Sequence, residues 1–358
     1  MMEVGEQMKS HIAMIVFQLG YAGNHVILRA ALNLGISKLV FPIYRNLIAL
    51  FLLVPFAYFV EKKDRPALTA SLLIQFFLLG SVGIASNQLF YLLGLDNTSP
   101  TLASATENAV PSVTFILATL LRQIFEIKKE RCRLERVELN RRDGIAKVVG
   151  TLISFIGASV ITLYKGPTIY NLLVSSASVP QNWTLGCIYN LGHCLCWSAW
   201  IVLQAMVLKK YPAPFSVYSF TCFFGILQFL GVASFFERDN PQAWQVHSTG
   251  ELLSVLYSGL VVSGIGFGIQ IWVIQRGGPV FVSGYLPLQT MLVAVMASMF
   301  LSEEFHLGGV IGAVLIISGL YMVLWGKSEE TKVAAAAAAA SVEENYKQPL
   351  ILAGTSDN

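Results

Sequence analysis

Ten apolar stretches of roughly 20 residues each, long enough to cross a bilayer as helices, occupy nearly all of the chain between His11 and Trp325. Nothing else in the sequence constrains the fold as tightly. The hydrocarbon core offers no water, so each stretch must satisfy its own backbone as a helix, and the chain reads as an all-α membrane protein. Hydropathy puts the spans at about 11–31, 39–60, 69–94, 100–121, 144–164, 183–207, 215–236, 251–274, 279–301 and 305–325. A mean hydropathy of +0.62 and a charged fraction of 13% leave too little polar surface to coat a soluble domain of this length.

The charges that remain are sorted between the two sides of the spans. With the N-terminus in the cytoplasm, 19 of the 24 Lys and Arg fall inside, only Lys38, Lys165 and Arg238 fall outside, and Arg29 and Arg45 lie within spans. Basic loops stay on the cytoplasmic side, so both termini are expected there. The net charge of +3 therefore reflects topology and gives no hint of nucleic-acid binding. No cleavable signal peptide precedes the first span, which reads as a signal anchor. Cys132, Cys187, Cys194, Cys196 and Cys222 are odd in number and scattered, which argues against a disulfide framework. His193, Cys194 and Cys196 point to different faces of one helix, so they are not read as a metal site, and no cofactor is called for.

The chain repeats. Pro100-Thr-Leu-Ala-Ser104 matches Pro279-Val-Phe-Val-Ser283 at an offset of 179, and Gly150 and Gly157 match Gly312 and Gly319 at an offset of 162. The two offsets differ by 17, which locates an excess in the charged stretch 122–143. Rich in Glu, Lys, Arg and Leu, that stretch is expected to form a short cytoplasmic helix. Each half then carries five spans, an odd number that forces the second half to enter the membrane the other way up. The expected fold is thus ten transmembrane helices as two inverted five-helix repeats, 11–164 and 183–326. Around them lie a cytoplasmic N-terminus at 1–10, a non-cytoplasmic linker at 165–182 and a low-complexity cytoplasmic tail at 327–358, a short helix fading into disorder. Inverted repeats carry substrate sites near the midplane at the repeat interface, which favours alternating access over a non-transporting scaffold.

Groups that hydrogen-bond are costly against lipid, so those deep in spans are expected to face the bundle interior or a wet cavity. The candidates are Asn24 and His25 in span one, Tyr44 and Arg45 in span two, and Asn87, Gln88 and Tyr91 in span three. Glu107 and Asn108 follow in span four, just ahead of Pro111, which frees backbone carbonyls. The second half adds His193, Trp197, Trp200, Gln270, Trp272, Tyr285 and Gln289. Arg45 can hold a carboxylate through its planar fork, with Asn87, Gln88 and Asn108 as further donors. Trp197, Trp200, Trp272 or Tyr285 can supply a wall for a flat ring. The same inventory would take an indole acid or a neutral amino acid. Glu107, about seven residues into its span, is expected to be neutral, paired or a proton-coupling group. Glu303 and Glu304 read as caps of span ten. An enzyme would need a nucleophile–base pair that the spacing does not offer, and a channel would need residue rings or filter loops.

GISKLVFPIYRNLIALFLLVPFAYFVEKKDRP (35–66), NQLFYLLGLDNTSPTLAS (87–104), NWTLGCIY (182–189), RGGPVFVS (276–283) and SEEFHLGGVIGAVLIISGLYMVLWGKSEE (302–330) closely resemble the plant nodulin-21-like branch of the EamA-type drug/metabolite transporters. The resemblance runs from Lys9 to Lys332. It implies a ten-span carrier of small organic solutes in the lipid bilayer, with auxin and amino acids as the substrate class and protons as a candidate coupling ion. The tonoplast is the membrane it favours, the plasma membrane the alternative, and a homo-oligomer stays open. The excess at 122–143 departs from the family, in which a shorter basic turn joins spans four and five. A nucleotide-sugar carrier of the same superfamily is the rival, but it would want more intramembrane basic residues than Arg29 and Arg45 to hold phosphates.

Overall fold

The computed structural model describes residues 4–62, 65–124, 142–164, 166–170, 182–270, 272–273, 282, 285–303 and 305–353. Among these, eight helices are long and apolar enough to cross a membrane: Met8–Asn33, Val40–Glu61, Ala70–Asn97, Arg142–Val160, Trp183–Lys210, Pro214–Phe236, Thr249–Gln270 and Leu307–Glu330. They are spans one, two, three, five, six, seven, eight and ten. Span nine is the shorter apolar helix Leu286–Leu301. Span four comes in two pieces, Pro100–Glu107 and Val110–Ile124. Pro111 has no N–H to offer the Glu107 carbonyl, and the chain tightens just before it. Asn108 and Ala109 donate to the Ala105 and Thr106 carbonyls three residues back. Span six seals the break, with Cys194 Sγ donating to the Thr106 carbonyl at 3.3 Å and Ser198 Oγ to the Val110 carbonyl at 3.1 Å.

The distribution of side chains is that of a bundle in lipid. Phe51, Phe59, Phe235 and Phe300 are between 69% and 82% exposed, whereas Asn46, Asn108, Ser112 and Ser198 are fully buried. Apolar rings outside and hydrogen-bonding groups inside is the arrangement a hydrocarbon solvent selects.

Spans five and ten cross at glycines. A Cβ on Gly150 would lie 2.6 Å from the Gly319 carbonyl oxygen, and one on Gly157 would lie 2.8 Å from that of Gly312. Only residues without side chains let two backbones approach so closely. Span two packs along span seven, span one against eight and nine, span three against six and seven, span four against six and nine, and span eight also against two. The pair of spans two and seven is fastened at both ends. The Glu61 carboxylate accepts from the Phe215 and Ser216 amides at 2.7 and 2.8 Å and from Ser216 Oγ at 2.6 Å, capping span seven. At the opposite end Ser37 Oγ donates to Glu237 at 2.8 Å while accepting from the Leu39 and Val40 amides that begin span two. Spans three and eight each carry a π-helical segment, Ser81–Ser86 and Ser258–Gly266, a local widening often found at functional sites.

Several expectations need correction. The all-α class holds, and the expectation changes only in that a small antiparallel strand pair joins Thr168–Tyr170 to Phe305–His306. Glu303 is a cap, but of span four: its carboxylate accepts from Thr101 Oγ1 at 2.8 Å and from the Thr101 amide at 3.4 Å. The tail continues span ten as one helix, Leu307–Ala353, because its alanine run has the highest helix propensity of any residue. Glu304, most of the stretch 122–143 and all of the motif 279–283 except Val282 lie outside the described residues.

Candidate functional site

Among the described residues seven spans, all but five, nine and ten, converge on a cavity of about 80 Å³. Eleven of the residues singled out from sequence line it: Asn24, His25, Arg45, Asn87, Gln88, Tyr91, Glu107, His193, Trp197, Trp200 and Gln270. Tyr44, Asn108, Trp272, Tyr285 and Gln289 do not. Tyr44 donates to the Trp244 carbonyl at 2.7 Å, and Asn108 Nδ2 to Thr290 Oγ1 at 2.8 Å, tying span four to span nine. Trp272 and Tyr285 pack around Met14 and Phe17. Gln289 reaches Glu107 from behind the lining.

The lining also includes residues the sequence did not single out as contacts, among them Tyr21, Gly83, Tyr218 and Phe267. Gly83 sits in the π segment of span three, where an added Cβ would lie 2.0 Å from Trp200 Cδ1. Its bare backbone is what allows the indole to lie there. Tyr218 meets Trp200 edge-on at 6.3 Å and stacks on Phe267 at 3.9 Å, completing an aromatic wall. Trp200 Nε1 is buried without a hydrogen-bond partner among the described residues.

Most of the amides are already engaged. Asn46 and Gln88 exchange hydrogen bonds at 2.8 and 3.2 Å, Asn24 Oδ1 accepts from Ser258 Oγ at 2.6 Å, and Asn87 Nδ2 donates to the His193 carbonyl at 3.4 Å. Arg45 differs. Its Nε donates to Ser263 Oγ at 3.0 Å, and among the described residues its two terminal nitrogens have no hydrogen-bond partner. An open guanidinium fork of this kind matches a carboxylate in a bidentate fashion.

Glu107 ends the half-helix Pro100–Glu107, at the pole where the helix dipole disfavours negative charge, and is 6% exposed. Its carboxylate is surrounded by side-chain partners. Oε2 accepts from Gln289 Nε2 at 2.9 Å and lies 3.6 Å from His25 Nε2, and Oε1 lies 3.4 Å from His193 Nε2. The Tyr91 hydroxyl bonds His25 Nδ1 at 2.7 Å, and His193 Nδ1 meets the Asn87 carbonyl at 3.2 Å. Among the described residues no three His, Cys, Asp or Glu are arranged to hold a metal ion. His193 recurs with Trp197 and Trp200 at helical spacing, which places all three on one face of span six. Tyr218 and Phe267 carry no such signal within their apolar runs.

A sequence model of the EamA-like transporter family matches residues 8–129 and 184–325. The chain is 61% identical over 348 residues to Protein WALLS ARE THIN 1 of Arabidopsis thaliana, which covers 93% of this chain and 86% of the relative. It is 54% identical over 346 residues to an auxin-induced protein of Pinus taeda, over 92% of this chain and 82% of that one. A solved structure described only as a crystal structure of a protein superposes with a TM-score of 0.51 at 16% identity, over 88% of this chain and 98% of its own, and so shares the fold alone.

Proposed function

The chain belongs to the EamA-like transporter family, whose members are transporters rather than enzymes, and we propose that it carries small organic carboxylates, auxin such as indole-3-acetic acid and amino acids, across a plant membrane by alternating access. The observation that carries this reading is Arg45, whose open fork belongs to a cavity walled by Trp197, Trp200, Tyr218 and Phe267. A cation inside a bilayer is expensive. Held open beside aromatic rings, it suits a ligand with a carboxylate at one end and a flat apolar body at the other. Small-molecule sites run to roughly 300–1,000 Å³, well above the present 80 Å³, so loading requires the walls to part, as alternating access demands. Arg29 donates to the Leu95 and Asp96 carbonyls at 2.6 and 2.7 Å. That leaves Arg45 as the one cation on the cavity among the described residues, which speaks against nucleotide sugars.

Two inverted repeats belong to the same proposal, and the packing supports them. Exchanging each span for the one five places along turns the contact of one with nine into six with four, two with eight into seven with three, and three with six into eight with one, all of which occur. The pairs two–seven, four–nine and five–ten map onto themselves. The π segments in spans three and eight, and the crossing of Gly150 on Gly319 and Gly157 on Gly312, obey the same exchange. The split of basic residues supports cytoplasmic termini. We favour the tonoplast over the plasma membrane on the family resemblance alone.

Uptake by proteoliposomes of labelled auxins, amino acids and nucleotide sugars, with and without a pH gradient, tests the reading. Saturable uptake of carboxylates is expected. Uptake confined to nucleotide sugars, or a flux that never saturates, would overturn it.

A further inference from the structure

We infer that Glu107 and His193 together bind one exchangeable proton, and that this proton is coupled to the carboxylate held at Arg45. The coupling rests on the transport reading above, whereas the proton site stands on geometry alone.

His193 Nδ1 lies 3.2 Å from the Asn87 carbonyl oxygen, which can only accept, so Nδ1 carries a hydrogen. In a neutral imidazole the other nitrogen is then a lone pair, and it faces Glu107 Oε1 at 3.4 Å. A lone pair against a carboxylate in a dry interior is repulsive. A single proton between them, on either atom, turns the contact into an attraction. The second oxygen is served differently. Gln289 Nε2 gives one hydrogen to Glu107 Oε2 at 2.9 Å and the other to His25 Nε2 at 3.0 Å, which makes His25 a neutral ring donating Nδ1–H to the Tyr91 hydroxyl at 2.7 Å. Assigned from their partners in this way, the amide and both rings satisfy every contact, and one proton completes the set at His193 and Glu107.

The other titratable groups around the pair are Tyr21 and His25 from span one, Arg45 from span two, Tyr91 from span three and Cys194 from span six. Glu107 is the only carboxylate on the cavity among the described residues, as Arg45 is the only permanent cation. Without the added proton the two charges offset one another. With it, the positive charge of Arg45 is left for a solute carboxylate, so proton and acid bind together and cross in the same direction. The proton is taken from water on one side and returned to water on the other, and only an N–H or O–H bond forms and breaks.

Two measurements test this. The first compares wild type, His193→Gln and Glu107→Gln in proteoliposomes, reading the ratio of indole-3-acetic acid accumulation driven by a pH gradient to exchange at equal pH. Gln at either position offers a fixed N–H donor, so the ratio is expected to fall at least tenfold in both variants, whatever the loss in exchange. A purely structural role would lower both rates in step, and an unchanged ratio overturns the coupling. The second needs no solute. Trp197 meets His193 edge-on at 5.4 Å, and an imidazolium quenches indole emission. The pH-dependent emission step, taken as the difference between the protein and Trp197→Phe, is expected to vanish in both Gln variants, and its survival in either overturns the proton site. An emission step in a protein that moves no carboxylate overturns the transport reading and the coupling while upholding the proton site.

Discussion

Replacing Gly83 by alanine tests whether the Trp200 wall shapes the solute site. The new Cβ would sit 2.0 Å from Trp200 Cδ1, against a comfortable carbon–carbon separation of about 3.5–4.0 Å, so the indole must retreat by roughly 1.5–2 Å. Alanine in a helix is itself favourable by roughly 0.5–1 kcal/mol relative to glycine, so loss of fold is not the expected route to a phenotype. A one-carbon misfit in an apolar pocket costs about 1–3 kcal/mol, or roughly 10–200-fold in affinity. The assay is equilibrium binding of labelled indole-3-acetic acid to purified protein, with acetate as a competitor that needs no aromatic wall. Indole-3-acetic acid should weaken within that range while acetate changes little. Gly231→Ala is the control, because a Cβ there meets nothing within 4 Å. Unchanged indole affinity in Gly83→Ala, or an equal loss in the control, would refute the assignment of Trp200 to the site.

Arg45→Gln should weaken binding of an indole acid by about 1.5–3 kcal/mol, the worth of a charge-assisted hydrogen bond, while its neutral amide analogue changes far less; calorimetric titration with the two ligands measures the difference. In a background stripped of native cysteines, Ser176→Cys should react with an impermeant thiol reagent only from the non-cytoplasmic face, since the basic residues are sorted to the other side. Gly150→Leu should lower the thermal midpoint in detergent by an overpacking cost of about 1–3 kcal/mol, because its Cβ would press on the Gly319 carbonyl, whereas Gly309→Leu, whose Cβ meets nothing within 4 Å, should leave it unchanged.

The helices were legible because hydropathy over a window reports a solvent, and the solvent here is uniform. Pro111 announced the break in span four, but its place at Asn108 and Ala109 depends on carbonyls that Cys194 and Ser198 reach from another helix. Within the site, Asn24, His25, Arg45 and Glu107 were readable because a polar group deep in an apolar run needs a reason. Polarity cannot distinguish a cavity from an interhelical bond, and so it pointed equally to Asn108, which is spent on Thr290. Tyr218 and Phe267 were invisible for the opposite reason, an aromatic ring among apolar neighbours being unremarkable to hydropathy. Glu303 shows a third limit. A carboxylate at a helix end reads as a cap, but the helix it caps is decided by proximity in space, and here that is the start of span four.

The clasps at the two ends of spans two and seven have a mechanical consequence. A pair held by Glu61 on Phe215 and Ser216 at one end, and by Ser37 on Glu237 at the other, resists shearing and splaying alike, since either motion must break an end contact whose kind is worth about 1 kcal/mol. Such a pair behaves as a batten, able to tilt as a whole but not to hinge. The alternating passage proposed above would therefore be cut along seams without such double ties. The broken span four is the natural place to bend, and Glu107 stands at the break.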